Sequence, residues 1–343
     1  MFRQDRTNPS TAVSNWKGHR STPKAWPSTA VSAWLNGGLF GAASIGAGYM
    51  GGGDAGSSVD VIRKMDFGTE ASSTLTATLT AVAYIVGGMA NSGVAGYFGG
   101  GRGGSPTANL TTVDKIAFTD DSKSTLGTGL SSARQMPTGL GNAGVAGYFA
   151  GGQTTTTVDK FAFPGDSRST LGTGLDAASN TGEGMSNSGT AGYVGAGYIS
   201  SACSTAVYKI TYSDDSMSTL SATLDTGMRY GGAMANVGTA GYIAGGYPCG
   251  DPYIATVNKF SFSDDSRATL GTGLSQGLYN PAGFALKDTA GYFAGGTCCA
   301  GVSWTKQTQA EKFAFADDSR SIVAGAFAAG TTSPAGMANE GAF

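Results

Sequence analysis

Histidine is nearly missing from this 343-residue chain, which has one, His19. A Ser-His-Asp arrangement would have to draw its base from that single position, and a copper site needing two His ligands cannot be assembled. Charge is equally sparse, with 13% charged residues, a net charge of −2 and a pI near 5.4. There is no basic field for DNA or RNA, so no nucleic-acid partner is expected. No apolar stretch is long enough to cross a bilayer, and no apolar core with a cleavage site opens the chain. Neither membrane insertion nor a signal peptide is expected. Cysteine occurs four times, at Cys203, Cys249, Cys298 and Cys299, without zinc-motif spacing. These residue types assign no catalytic residue, metal or cofactor.

What the chain has instead is glycine, 57 residues of it, and a repeat. Gly48-Tyr49, Gly96-Tyr97, Gly147-Tyr148, Gly192-Tyr193, Gly241-Tyr242 and Gly291-Tyr292 recur at intervals of 45 to 51 residues. Each copy has an apolar run ending in Ala-Gly-Tyr, a loop of changing length, and a strand such as Val158-Asp159-Lys160-Phe161-Ala162-Phe163. A final segment such as Ser169 to Leu175 closes the unit. In Lys115-Ile116-Ala117-Phe118 and its counterparts every second residue is large and apolar, which is a strand with one buried face. Four strands in a unit of this length are a β-propeller blade.

Acidic residues follow each third strand: Asp120-Asp121-Ser122, Asp166-Ser167, Asp214-Asp215-Ser216, Asp264-Asp265-Ser266 and Asp317-Asp318-Ser319. Short Asp side chains close hairpins by bonding nearby amides, and this reading is preferred to a Ca²⁺ site. The double glycines precede no helix, so they are strand-end glycines and not a phosphate cradle.

The order Arg134 … Gly147-Tyr148-Phe149-Ala150-Gly151-Gly152 … Val158-Asp159-Lys160-Phe161 … Leu171 resembles the kelch repeat, as does Arg229 … Gly241-Tyr242-Ile243-Ala244-Gly245-Gly246 … Lys259-Phe260 … Leu270. The likeness runs from about residue 38 to the C-terminus. It departs on the fourth strand, where Leu126, Leu171, Leu220 and Leu270 stand in place of Trp, and in the inner Arg, which most copies lack. The resemblance implies an all-β, six-bladed kelch-like β-propeller of four-stranded blades over 37–343. Ser333 to Gly341 aligns with innermost strands, so the C-terminal strand is expected to complete the first blade and close the ring. Gly38 to Ala43 is a competing innermost strand. The Ala-Gly-Tyr-Phe-x-Gly-Gly and Thr-Val-Asp-Lys phrasing is also similar to repeat proteins of tailed bacteriophages.

Propellers of the sialidase type gather three Arg, a Tyr and carboxylates near the axis. Here Arg134 and Arg229 align at innermost positions, with Arg168, Arg267 and Arg320 in outer hairpins and Arg102 in a loop. Arg134 and Arg229 are expected to bond carbonyls of neighbouring blades, and no enzyme activity is expected.

Residues 1–36 differ from the repeats. Met1 to Pro27 carries Arg3, Arg6, Lys17, Arg20 and Lys24 against Asp5. Pro9 to Trp16 is nearly duplicated by Pro27 to Trp34. This reads as an extended docking arm with Trp16, Trp26, Val31 and Trp34 as anchors, a loose leader being the plainer alternative.

The four cysteines fall in loops between second and third strands of the last three repeats, on one ring face. Disulfides between adjacent loops, free thiols and a soft-metal site are the alternatives. The same loops carry Tyr198, Tyr247, Tyr253 and Trp304, a candidate face for a host glycan or receptor. The expectation is a non-enzymatic virion structural or appendage protein, docked to other virion proteins through its arm and displaying the propeller for particle stabilisation or host contact. The alternative is a lectin-like or protein-interaction module outside any virion.

Overall fold

The computed structural model describes residues 46–339 apart from Thr154, Thr181, Ala196, Asp251 and residues 299–303. The compact unit that holds them is Ile45–Phe343. The arm anchors Trp16, Trp26, Val31 and Trp34, and Cys299, lie outside the described residues.

Every named element among the described residues is a β-strand. Five antiparallel sheets have four strands each, a sixth has six, and small ribbons complete the set. The six sheets are numbered along the chain by their second strands, Ala47–Gly51, Ala95–Gly99, Ala146–Ala150, Ala191–Gly195, Ala240–Ala244 and Ala290–Ala294, and in sheets 2 to 6 the four strands pair in chain order. In sheet 3, for example, Thr138–Asn142 pairs with Ala146–Ala150, which pairs with Val158–Ala162, which pairs with Ser167–Thr170. Along Val158–Ala162, Phe161 is fully buried between half-buried Lys160 and exposed Ala162, as the period-two pattern requires, while Val158 and Asp159 are both buried where the strand begins.

Sheet 1 is assembled from both ends of the unit. Its inner strand is Ala335–Ala338, paired antiparallel to the second strand Ala47–Gly51, with Gly48 opposite Ala338 and Gly51 opposite Ala335. The third strand is Val59–Asp66. The C-terminal candidate is therefore the one that occupies the inner position, while Gly38–Ala43 lies outside the described residues. The outer strand, Ser72–Tyr84, is 13 residues long against three or four in the other sheets, and its ladder to the third strand slips twice.

Contacts between sheets follow a repeating rule. The Tyr of each Ala-Gly-Tyr triplet is at most 1% exposed and lies against the aromatic residue that ends the third strand of the next sheet. The pairs are Tyr49–Phe118, Tyr97–Phe163, Tyr148–Tyr212, Tyr193–Phe262, Tyr242–Phe315 and Tyr292–Phe67, with ring centroids 5.1–5.5 Å apart. The last pair runs from sheet 6 to sheet 1. Such stacking adds about 0.5–1.5 kcal/mol per pair to the area each ring buries.

The tyrosine hydroxyls reveal a job for the acidic hairpins beyond turn formation. The first Asp of each pair bonds the amide of the following Ser, as in Ser122 N to Asp120 Oδ1 at 3.0 Å, which is the expected turn chemistry. The acidic residue three positions after the aromatic that ends each third strand, Glu70, Asp121, Asp166, Asp215, Asp265 or Asp318, sits at φ of 55–59° and turns its carboxylate toward the preceding sheet. Tyr49 and Lys64 donate to Asp121, Tyr97 and Lys115 to Asp166, Tyr148 and Lys160 to Asp215. Tyr193 and Lys209 donate to Asp265, Tyr242 and Lys259 to Asp318, and Tyr292 and Lys312 to Glu70. Each lysine also lies 5.3–5.8 Å from the centroid of its tyrosine ring. The third-strand Lys is thus one partner in an inter-sheet latch. The latch carboxylates face a lysine and a hydroxyl, and no group of three His, Cys, Asp or Glu suited to a metal ion occurs among the described residues.

Inner strands meet along their glycines. A Cβ on Gly139 would overlap the Gly88 carbonyl oxygen, and one on Gly184 that of Gly139. At their entry ends these strands surround a cavity of about 100 Å³. Its rim is a belt of backbone hydrogen bonds between consecutive sheets: Asn280 N to Tyr230 O, Ser333 N to Asn280 O, Ile85 N to Ser333 O and Met136 N to Ile85 O, at 2.6–3.2 Å. The donors hold φ of 51–60°, costly for Ile85, whose branched Cβ crowds the left-handed region.

Candidate ligand-recognition face

Chain direction sets the two faces. Inner and third strands run from the cavity mouth to the acidic hairpins, and second and outer strands return, so every loop between second and third strands opens on the mouth side. The short loop of sheet 3, Gly151–Thr157, stays close to the scaffold. Those of sheets 4 to 6 are longer, and their strand-forming residues fold into ribbons. Tyr198–Ile199 pairs with Ala202–Cys203, while Thr297–Cys298 pairs with Leu278–Tyr279 on one side and Thr305–Lys306 on the other.

The predicted Tyr198, Tyr247, Tyr253 and Trp304 all fall on this face, and Arg229, Tyr230 and Tyr279 join them into one arc. The Arg229 guanidinium lies 4.5 Å from the Tyr198 ring centroid, 5.3 Å from that of Tyr230 and 5.4 Å from that of Tyr247. Tyr247 meets Tyr253 edge-on at 6.2 Å, Tyr253 lies 5.1 Å from Tyr279, and Tyr230 lies 4.6 Å from Tyr279. Trp304 ends the arc, 6.0 Å from Tyr253 and 6.2 Å from Tyr279, and is 69% exposed. Arg229 is held by three ring faces, forms no salt bridge among the described residues and keeps its Nε buried without a hydrogen-bond partner. Burial, and after it the neighbouring Tyr230, holds the Tyr279 hydroxyl well above the ordinary tyrosine range. Burial raises Tyr253 too, and its hydroxyl has no hydrogen-bond partner.

Covalent chemistry braces the arc. Cys203 and Cys249 form a disulfide with Cα atoms 5.8 Å apart, joining the loop of sheet 4 to that of sheet 5 beside Tyr198 and Tyr247. Cys298 is also disulfide-bonded. Two isolated bridges, Arg229 to Tyr247 and Ser204 to Met228, bind these loops to the segment entering sheet 5.

The two arginines do not occupy equivalent positions. Gln153 N bonds Gln135 O as Tyr247 N bonds Arg229 O, so Arg229 matches Gln135, and Arg134 matches Met228. A one-residue offset in extended chain reverses the side a residue faces. Arg134 therefore turns inward, 1% exposed, and pairs with Asp159 at 2.9 Å and with the Phe149 carbonyl at 3.1 Å, all within sheet 3. Among the described residues it bonds no neighbouring sheet's carbonyl, and neither does Arg229, which turns outward among the rings. Arg168, Arg267 and Arg320 are held near the outer strands by Asp159, Asn258 and Glu311.

Tyr230 opens both on the arc and on the cavity mouth, where Glu183 is the one carboxylate among the lining residues. Glu183 accepts the Gly231 amide at 2.7 Å. Surrounded by protein with only the narrow cavity before it, its carboxyl is pushed well above the usual range by desolvation, the Gly231 bond acting in the opposite sense. Sequence reasoning missed Arg229, Tyr230 and Tyr279 as face residues. A signal was present: Tyr230 and Tyr279 immediately precede Gly231-Gly232 and Asn280-Pro281, where inner strands begin.

No protein-family model and no curated protein sequence matches the chain. Among solved structures it is similar to the structure of YjhT, with a TM-score of 0.64 and 15% identity over 80% of this chain and 96% of that one. At that identity the likeness is one of fold, and it agrees with the four-stranded sheets in supporting a β-propeller-like, all-β architecture.

Proposed function

We propose that this chain is a closed, six-bladed, kelch-like β-propeller that binds without catalysing, with the aromatic arc as its recognition face for a surface saccharide. The six latches support closure, because each carboxylate reaches the preceding sheet and Glu70 of sheet 1 receives Tyr292 and Lys312 of sheet 6. The observation that carries the binding reading is the continuous arc from Arg229 to the exposed Trp304. Aromatic rings stack on the apolar faces of sugar rings, and the tyrosine hydroxyls offer polar edges. The disulfide beside the arc suits work in an oxidising setting. Glycan-array screening followed by calorimetry tests this. Trp304→Ala should weaken the best saccharide by about tenfold or more while leaving melting almost unchanged, since Trp304 is largely exposed. Absence of saccharide binding by the wild-type chain refutes it.

We further propose that the propeller is displayed on a tailed-phage virion through residues 1–36. The repeat phrasing and the duplicated Trp16 and Trp34 segments support that setting. Gly46 and Asn339, the ends of the described body, both lie on the hairpin face, opposite the arc, which suits outward display. Trp16→Ala with Trp34→Ala should abolish particle incorporation without changing saccharide binding. Unchanged incorporation would favour a module outside any virion.

A further inference from the structure

We propose that the outer edge of sheet 1 is a self-association surface, on which a second copy of this chain pairs antiparallel about a two-fold axis through Ala77. The outer strand Ser72–Tyr84 reads Ser-Ser-Thr-Leu-Thr-Ala-Thr-Leu-Thr-Ala-Val-Ala-Tyr and contains no charged residue. Four of the other five outer strands carry Lys123, Arg168, Arg267 or Arg320, and all five span at most four residues. Short length, charge and bulges are ordinary protections of an exposed sheet edge, and this edge, though bulged, is neither short nor charged.

Its free stretch is well defined. Beyond the third strand, the outer strand pairs with Arg102–Gly103, and only through Ala83 and Tyr84. Thr80 donates its amide to Asp114 of sheet 2 at 2.7 Å, which ends the open edge there. From Ser72 to Leu79 no strand covers the outer side among the described residues. The ladder to the third strand passes from Thr74–Arg63 to Thr78–Val61, skipping Leu75, Thr76 and Ala77 across a bulge. Exposure alternates along this stretch, with Thr74, Thr76, Thr78 and Thr80 open and Leu75, Ala77 and Leu79 turned inward, so the backbone is extended.

The occupant follows from the sequence of the edge itself. Thr74-Leu75-Thr76-Ala77-Thr78-Leu79-Thr80 reads the same in both directions. An antiparallel pair about Ala77 sets Thr76 of one copy opposite Thr78 of the other, and Leu75 opposite Leu79. Both copies then present the same patch, as an isologous interface requires, and Thr–Thr and Leu–Leu pairs are favourable cross-strand neighbours. No like charges meet.

Sedimentation velocity of the full chain over a concentration series tests this, with register read by charge exchange. Wild type should show a reversible dimer. Thr76→Lys with Thr78→Lys places two Lys–Lys pairs across the axis and should weaken the dimer by about tenfold or more. Thr76→Lys with Thr78→Glu turns the same positions into two Lys–Glu pairs and should restore it. Both side chains are exposed, so thermal melting of the two variants serves as the check that folding is unaffected. A wild-type monomer throughout the series overturns the proposal, and so does a dimer that the double-lysine variant leaves intact.

Discussion

Replacing Asp215 separates what the latches contribute from what turn geometry contributes. Its carboxylate accepts the Tyr148 hydroxyl at 2.8 Å and the Lys160 ammonium at 2.6 Å, and its backbone holds a φ of 56°. Asp215→Ala removes all three supports. The ion pair is about one-quarter exposed on each side, so its loss costs about 0.2–1 kcal/mol. Tyr148 is fully buried as a residue, and its hydroxyl loses its acceptor for about 1 kcal/mol more. Alanine in left-handed backbone adds roughly 1 kcal/mol that Asp avoids. The total is about 2–3 kcal/mol. Asp215→Asn keeps an acceptor for Tyr148 and tolerates the backbone angle, so it should cost less than about 1 kcal/mol, and the gap from wild type should shrink in high salt. Calorimetric melting reads both; at roughly 2 °C per kcal/mol for a domain of this size, alanine should lower Tm by about 4–6 °C and asparagine by under about 2 °C. Equal losses from Ala and Asn would show that the charge alone matters, and a silent Asp215→Ala would refute the latch. Glu70→Ala tests the sheet 6 to sheet 1 latch in the same way and should cost a similar amount in a closed ring.

Close approach of inner strands makes Gly139→Ala destabilising by about 3 kcal/mol, because the new Cβ would strike the backbone oxygen of Gly88, which cannot yield; Gly172→Ala, with open space around it, is the control and should be near neutral in denaturant melts. Burial first, and the latch carboxylates second, raise the hydroxyls of Tyr49, Tyr97, Tyr148, Tyr193 and Tyr242 far above their ordinary value. Their neutral forms are favoured in the fold, so stability is complete below the unfolded tyrosine pKa near 10 and falls above it; denaturant midpoints should drop steeply above about pH 10, with a slope of several protons. Glu183 has its carboxyl raised by burial, so its contribution is present below the unfolded value and is lost as pH rises. Glu183→Gln should therefore raise Tm at pH 7 and do little at pH 4, and equal effects at both would contradict the assignment.

Several elements were legible because they are local. The Gly-Tyr repeat, the alternation in Val158–Ala162 and the Asx-type hairpins depend on neighbours within a few residues, and each appears where the pattern placed it. The long loops of the last three repeats were legible as the place for Tyr198, Tyr247, Tyr253 and Trp304, because insertions onto a repeating scaffold open on one side. What misled was register. Arg134 and Arg229 look alike in sequence, yet a single-residue offset sends one into sheet 3 against Asp159 and the other out among tyrosines.

Short-range periodicity and side-chain chemistry are enough to specify the all-β repeat, the strand order within each unit and the turns. Which sheets face one another is set by contacts between residues far apart in the chain. The second hairpin carboxylate becomes a latch because folding brings Asp215 to Tyr148 across a separation of 67 residues, and Glu70 to Tyr292 across 222. Tertiary packing likewise decides that Arg229 belongs to the aromatic arc and that Ala335–Ala338 completes sheet 1. Pairings of that range carry no periodic signal along the chain, because they are set by the packing of whole sheets and not by any residue's neighbours in sequence.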